Sequence, residues 1–259
     1  MVDRDLYEWS QQARSVWFVQ GNSQWAAKQD FIPVRDHPWP HYNPPNSLSD
    51  DESPLIIPAV GQQITFSVEL ACRVGAQGEN VLAADAEKLI KDYHVFVAVR
   101  DNSYIQYANK CSNYPHFGKG DDQTKDYDYE VTHGWADGFA QLSKVKIDAS
   151  AGFPTDRAMR MSIDGCEPVK TNTRAYVHHV PAVIEVITRF VCVDEGDVIS
   201  LGTVGPKIVV EPDQKLPDAA MLTAGIEGLG EMVVPIIDLR SDDNYYANSY
   251  QSGTMGGFV

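Results

Sequence analysis

The chain has 259 residues, with 21 Lys+Arg against 36 Asp+Glu, a formal charge of −15 and a sequence pI near 4.7. That surplus of acid excludes a surface that tracks nucleic-acid phosphates or an anionic membrane, because both need clustered Lys and Arg. At 43% hydrophobic and 22% charged, the composition is that of a globular protein long enough to bury one substantial core.

No apolar run approaches the roughly 18 residues that a membrane span needs. The segment Met1–Ser10 carries Asp3, Arg4, Asp5 and Glu8 and has no apolar stretch, so a secretory signal is not expected. Cys72, Cys111, Cys166 and Cys192 are far apart and form no CxxC pair. Neither a disulfide framework nor a zinc site is expected, and a cytoplasmic setting fits the free thiols.

In chain order, strand-like runs fall at Ser15–Val19, Gln63–Arg73, Tyr93–Val99, Ser143–Asp148, Met159–Ile163, Asp197–Val204 and Lys207–Val210. Most alternate in polarity or are β-branched. Gln63–Arg73 alternates best: Ile64, Phe66, Val68, Leu70 and Cys72 share one face, while Thr65, Ser67, Glu69, Ala71 and Arg73 share the other. Helical signals are fewer. Ala83–Lys91 has its acids early and its lysine late, as the helix dipole prefers. Val180–Phe190 places Pro181 near its start and repeats apolar residues at Val183, Val186, Ile187 and Phe190. The sum is a β-rich α+β chain in one domain, 1–259. Long loops are expected at 24–54 and 109–132, with a polar tail at 241–259.

Generic motifs are scarce. Gly225, Gly228 and Gly230 give the wrong order for a dinucleotide fingerprint and read as turn glycines. His37 and His41 are four apart, but Pro38 and Pro40 between them rule out the helix that a metal-binding pair would use. His178 and His179 read as residues that cap or line the following helix.

A series of segments in one order is more informative. It runs Phe18-Val19-Gln20-Gly21-Asn22-Ser23, then Phe66-Ser67-Val68-Glu69-Leu70-Ala71, then Val97-Ala98-Val99-Arg100-Asp101-Asn102-Ser103. Asp137-Gly138-Phe139, Met159–Gly165, Asp194-Glu195-Gly196-Asp197-Val198-Ile199-Ser200-Leu201-Gly202-Thr203 and Ile226–Val234 follow. This series resembles the C-terminal catalytic domain of the fumarylacetoacetate hydrolase family over roughly residues 15–240. The resemblance implies a β-roll or sandwich with a few short helices, a homodimer, and a small-molecule 2-oxo acid or 1,3-dicarbonyl substrate. The implied reactions are C–C hydrolysis, decarboxylation, isomerisation or dehydration, assisted by Mg2+ or Mn2+.

In that family a Glu-x-Glu pair on one strand and a later Asp hold the metal. Alternate strand residues share a face, and three carboxylates suit a hard divalent ion. Here the pair reads Ser67-Val68-Glu69, so Glu69 matches the second Glu and Ser67 replaces the first. Asp101 matches the Asp on the local pattern, and anchoring on Tyr93 puts Ala98 there instead. The expected ligands are Glu69 and Asp101, with Ser67 holding a ligand water. Two family lysines are replaced, one by Gln20 and one at Gly134 or its neighbour His133. Gln20, Ser67 and Thr203 are then expected to contact substrate. Arg100 is either an anion clamp or a structural ion-pair partner. His133 and Glu69 are the expected catalytic groups, His133 because an imidazole titrates near neutrality. The alternatives are a metal-independent lyase or cyclase of specialised metabolism, and a non-catalytic dimeric binding protein on the same scaffold.

Overall fold

The computed structural model describes residues 13–29, 34, 36–58, 61, 63–101 and 134–240. The expected loop at 109–132, His133 and the tail at 241–259 lie outside the described residues. Strands take the following spans: β1 Val16–Gln20, β2 Trp39–Asn43, β3 Leu48–Asp50, β4 Leu55–Ile57, β5 Ile64–Val74, β6 Ile90–Asp101 and β7 Ala140–Asp148. The second half adds β8 Ala158–Ile163, β9 Val169–Asn172, β10 Val198–Ser200, β11 Ile208–Val210, β12 Met221–Ile226 and β13 Gly230–Asp238. The larger sheet runs β2-β1-β10-β5-β6-β7-β3, with β11 also on β5, and the smaller runs β4-β13-β12-β8-β9. The chain is therefore β-rich α+β, as expected.

Three expectations change. The segment 24–54 is not one loop: it holds a helix over Gln24–Gln29, then β2 and β3. Pro40 lies inside β2, which tolerates it because β2 is the sheet's edge strand and one of its sides needs no donor. The helix expected over Ala83–Lys91 is only Ala83–Ala86 plus a 3-10 turn at Glu87–Leu89, because Ile90 and Lys91 already belong to β6. The helix at Val180 stops at Thr188 and buries Val180, Val183, Ile184 and Ile187, while Phe190 beyond its end is 83% exposed.

β5 and β6 pair antiparallel with Ser67 opposite Ala98, Glu69 opposite Phe96 and Ile64 opposite Asp101. Directly opposed residues share a face. The apolar face of β5 (Ile64, Phe66, Val68, Leu70, Cys72) enters the main core with the smaller sheet and the Val180–Thr188 helix. Its other face looks into the curl of the larger sheet, where Val16, Leu48, Ala71, Phe96, Ala98, Ala140, Leu142 and Val198 form a second cluster. Asn43 Nδ2 of β2 donates to the Gly134 carbonyl just before β7 at 3.3 Å, although four strands separate β2 from β7 in the sheet order. That contact marks how far the sheet curls on itself.

Candidate active site

One edge of β5 is only partly paired. β10 covers Ala71–Arg73 and β11 covers Ile64–Phe66, leaving Ser67–Leu70 facing the detour between those two strands. A buried backbone donor there needs another partner. Tyr176 supplies it: its hydroxyl accepts from Leu70 N at 2.8 Å and donates to Gly202 O at 3.1 Å. Burial, together with the nearby Glu69 charge, pushes the Tyr176 phenol well up, so it remains a donor. The gap in the ladder is where polar side chains converge.

Glu69 is 1% exposed. Its Oε1 accepts from Ser67 Oγ at 2.7 Å and from Thr203 Oγ1 at 2.9 Å, and its Oε2 accepts from Ser200 Oγ at 2.5 Å. Three hydroxyls therefore occupy three of the roughly four lone-pair sites of one carboxylate. Ser67 reaches it because residues i and i+2 of a strand share a face. Ser200 reaches it from β10, across the pairing of Ser200 with Ala71. Thr203 reaches it because the chain after β10 presses against β1. Gly202 there has φ +82°, and a Cβ would stand 1.8 Å from Val19 O. Only glycine fits that contact. Asn22 fixes the same junction, donating to Leu201 O at 3.0 Å and to His178 O at 2.9 Å.

Opposite this floor stands Arg100, 8% exposed on the Glu69 face of β6. Its guanidinium lies 4.4 Å from the centroid of the Phe18 ring, a cation–π contact. Phe18 pairs with Ser200 and with His41, and its ring stacks on the His41 imidazole at 5.2 Å. The curl thus carries the Arg100 cation back toward the hydroxyl cluster. An ideal Cβ on Gly134 would stand 2.9 Å from Arg100 Nη1 and 3.1 Å from Asn43 Nδ2. The guanidinium fills the space a side chain at 134 would take. Asn43 is 2% exposed, and its buried Oδ1 has no hydrogen-bond partner among the described residues. The Asn43 amide and the Arg100 cation therefore border one small volume.

The expected site residues divide. Ser67, Glu69 and Thr203 come together through hydrogen bonds. Arg100 lines the same curl, and Gln20 shares the face of Phe18 at the end of β1, opposite Trp39. Asp101 does not join them. It opposes Ile64, so it lies on the other face of the sheet, five residues along β5 from Glu69. At about 3.4 Å per residue this is roughly 17 Å. One ion about 2.1 Å from each oxygen holds two ligands no more than roughly 4 Å apart. The expected Glu69–Asp101 metal pair is therefore corrected: the residue sharing a face with Ser67 and Glu69 is Ala98. No group of three or more His, Cys, Asp or Glu side chains among the described residues could hold an ion. With Ser67 and Ala98 beside Glu69 on its face and hydroxyls already on both its oxygens, the described residues do not fit Mg2+ or Mn2+.

Ser200, Tyr176 and Asn43 were not singled out from the sequence. Ser200 lies inside the Asp194–Thr203 segment, and its period-2 position relative to Val198 was the available signal. Asp197, the carboxylate of that segment, is structural: it accepts from Ser15 N at 2.9 Å and from Asp194 N at 2.9 Å.

A second polar group lies on the same face, farther along β5. Asp92 pairs with Arg73 at 2.7 Å, with Lys146 at 3.1 Å and with the fully buried His94 at 2.7 Å. Burial pushes the Asp92 carboxyl up, but hydrogen bonds from His94 and Arg73 outweigh it and hold Asp92 below the usual carboxylate range. His94 Nδ1 meets Ser143 O at 2.7 Å.

Comparison with known proteins places this geometry. The family described as fumarylacetoacetate (FAA) hydrolase C-terminal matches residues 15–237. A mitochondrial oxaloacetate tautomerase of Arabidopsis thaliana is 28% identical over 192 residues, covering 73% of this chain and 75% of that protein. The fold is similar to that of a 5-carboxymethyl-2-hydroxymuconate delta-isomerase from Mycobacterium smegmatis, with TM-score 0.67, 21% identity and coverage of 88% and 80%. It is also similar to a fumarylpyruvate hydrolase from Pseudomonas aeruginosa in complex with Mn2+ and pyruvate, with TM-score 0.66, 18% identity and coverage of 87% and 90%. With the family's match running through both sheets and the whole hydroxyl cluster, the chain belongs to the fumarylacetoacetate hydrolase family of enzymes.

Proposed function

We propose that this chain is an enzyme acting on an enolisable 2-oxo acid or 1,3-dicarbonyl compound, and that its core step is proton transfer at the carbon next to the oxo group. The observation that carries this reading is the Glu69 carboxylate, buried and aimed by three hydroxyls, with the Arg100 cation on the same face of the curl. Glu69 accepts the C3 proton with its remaining lone pair. The C3–H electrons form the C2=C3 bond, and the C2=O pair moves onto oxygen as an enolate. Return of the proton to oxygen gives the enol, and return to carbon gives the ketone. Arg100 pairs with the substrate carboxylate or the enolate, a geometry its planar guanidinium suits. Asn43 Oδ1 accepts from the enol hydroxyl.

The small side chains Ala71, Ala98 and Ala140 keep this face of the sheet low. Tautomerisation follows directly from the step. Decarboxylation and C–C cleavage would break a C–C bond at C3 of the keto form instead of C3–H, and would likewise place the released electron pair in an enolate with its charge on the C2 oxygen. Support comes from the Arabidopsis relative, which is an oxaloacetate tautomerase. The test is ketone–enol interconversion of oxaloacetate followed by ultraviolet absorbance. Removing a positioned base costs typically 10²–10⁴-fold, so Glu69→Gln is expected to lose at least about 100-fold in kcat. Equal rates in the parent protein and Glu69→Gln would end this reading.

A further inference from the structure

We infer that the hydroxyls of Ser67, Ser200 and Thr203 stand in place of a divalent ion, so that this chain works at Glu69 without one. The inference concerns ion binding, and it holds or fails whatever reaction the site performs. Three observations carry it. Both oxygens of Glu69 already accept hydroxyl hydrogen bonds, two on Oε1 and one on Oε2. An ion bound there would have to break these contacts and would gain a single carboxylate. Next, the cross-strand pair Ser67 and Ala98 borders Glu69 on the same face. Those are the positions from which two further carboxylates would reach a shared ion, and neither side chain is one. Finally, no group of three or more His, Cys, Asp or Glu side chains among the described residues could hold an ion.

The substitution is self-consistent. Two carboxylates at 67 and 69 would repel each other in a buried site and would require a cation between them. A serine at 67 removes that repulsion and donates directly to the survivor. Ser200 is itself held, accepting from Gly202 N at 3.2 Å. The same Gly202 turn delivers Thr203. Ser67 thus decides between two kinds of site: ion-bridged with an acid at that position, hydroxyl-bridged with serine.

The test is Mn2+ binding to the intact chain, read by the loss of free-ion electron paramagnetic resonance signal and by titration calorimetry. The proteins are the parent, Glu69→Gln, Ser67→Glu, and Ser67→Glu with Ala98→Asp. Circular dichroism melts check that each is folded. The parent is expected to bind no Mn2+ at Glu69 up to about 1 mM, giving the same curve as Glu69→Gln. The double variant is expected to gain one site per chain, at least about tenfold tighter than any parent binding. If it fails to fold, Ser67→Glu alone carries the comparison, with two carboxylates and a weaker gain. One Mn2+ per parent chain that Glu69→Gln abolishes would overturn the inference. So would folded variants that gain no site, because Ser67 and Ala98 would then not be what sets ion binding.

Discussion

Gly202→Ala probes the junction that delivers Thr203 to Glu69, and Gly152→Ala is its natural control. The two glycines share φ +82°, which disfavours any side chain. Their surroundings differ completely. A Cβ at 202 would stand 1.8 Å from Val19 O and 3.0 Å from Val19 C, whereas a Cβ at 152 would meet nothing within 4 Å. Forcing alanine to this positive φ costs about 1–3 kcal/mol at either site. The overlap at 202 can be relieved only by parting β1 from the chain after β10, and insertions of this kind into packed interiors cost typically about 1–3 kcal/mol more. At roughly 2–4 °C per kcal/mol for a domain of this size, Gly152→Ala should lower Tm by about 2–12 °C. Gly202→Ala, which carries both costs, should lower it by about 4–24 °C. Calorimetry or fluorescence melts of both variants measure the difference directly. Gly202→Ala should also lose oxaloacetate tautomerisation in its folded fraction, because Thr203 moves with Gly202, while Gly152→Ala keeps it. A Gly202→Ala variant no less stable than Gly152→Ala and fully active would refute the account of why this turn is glycine.

Further predictions come from neighbouring groups. Tyr176→Phe strands Leu70 N at the ladder gap, an unsatisfied buried donor worth about 1–3 kcal/mol, and should appear as a lower denaturant midpoint with an unchanged slope. Asp92→Asn breaks a buried pair with Arg73 and His94 and should destabilise by roughly 3–5 kcal/mol near neutral pH. Because the folded Asp92 pKa is depressed, its ionised form stabilises the fold above the unfolded carboxylate value of about 3.9, and that contribution is lost as pH falls toward the folded value. Denaturant melts should therefore show the gap between parent and Asp92→Asn begin to narrow below about pH 4 and keep narrowing in stronger acid, and a gap that widens in acid would contradict this. Arg100→Gln should weaken inhibition by a small 2-oxo acid by about 10–150-fold, the worth of a charged hydrogen bond of roughly 1.5–3 kcal/mol. Inhibition constants measure it, and an unchanged value would make Arg100 a structural residue.

Much of this architecture is legible in the residues, and the exceptions have physical causes. β5 announces itself because one face is apolar and the other polar over its whole length, and that period also puts Ser67 beside Glu69. The same parity argument fails for Asp101. A local pattern aligns it with a ligand, but only cross-strand register tells that it opposes Ile64 and faces the core. β2 is hidden by Pro38 and Pro40, which signal a loop until the strand is known to be an edge. The β12–β13 hairpin is masked by glycines that do make its turn, Gly228 at φ +81° and Gly230 at φ +117°. Tyr176 and Asn43 carry no sequence signal at all. They matter because a gap in one ladder and the closure of a curl bring them to Glu69 and Arg100 from more than 25 positions away in the chain.

The most direct test of the central claim is solvent deuterium exchange at C3. Chelator-treated protein is incubated in D2O with pyruvate, and loss of the methyl proton resonance is followed by NMR. The account predicts protein-dependent exchange that falls at least about 100-fold in Glu69→Gln, the range expected on removing a positioned base. Exchange at the same rate in the parent and in Glu69→Gln would contradict it.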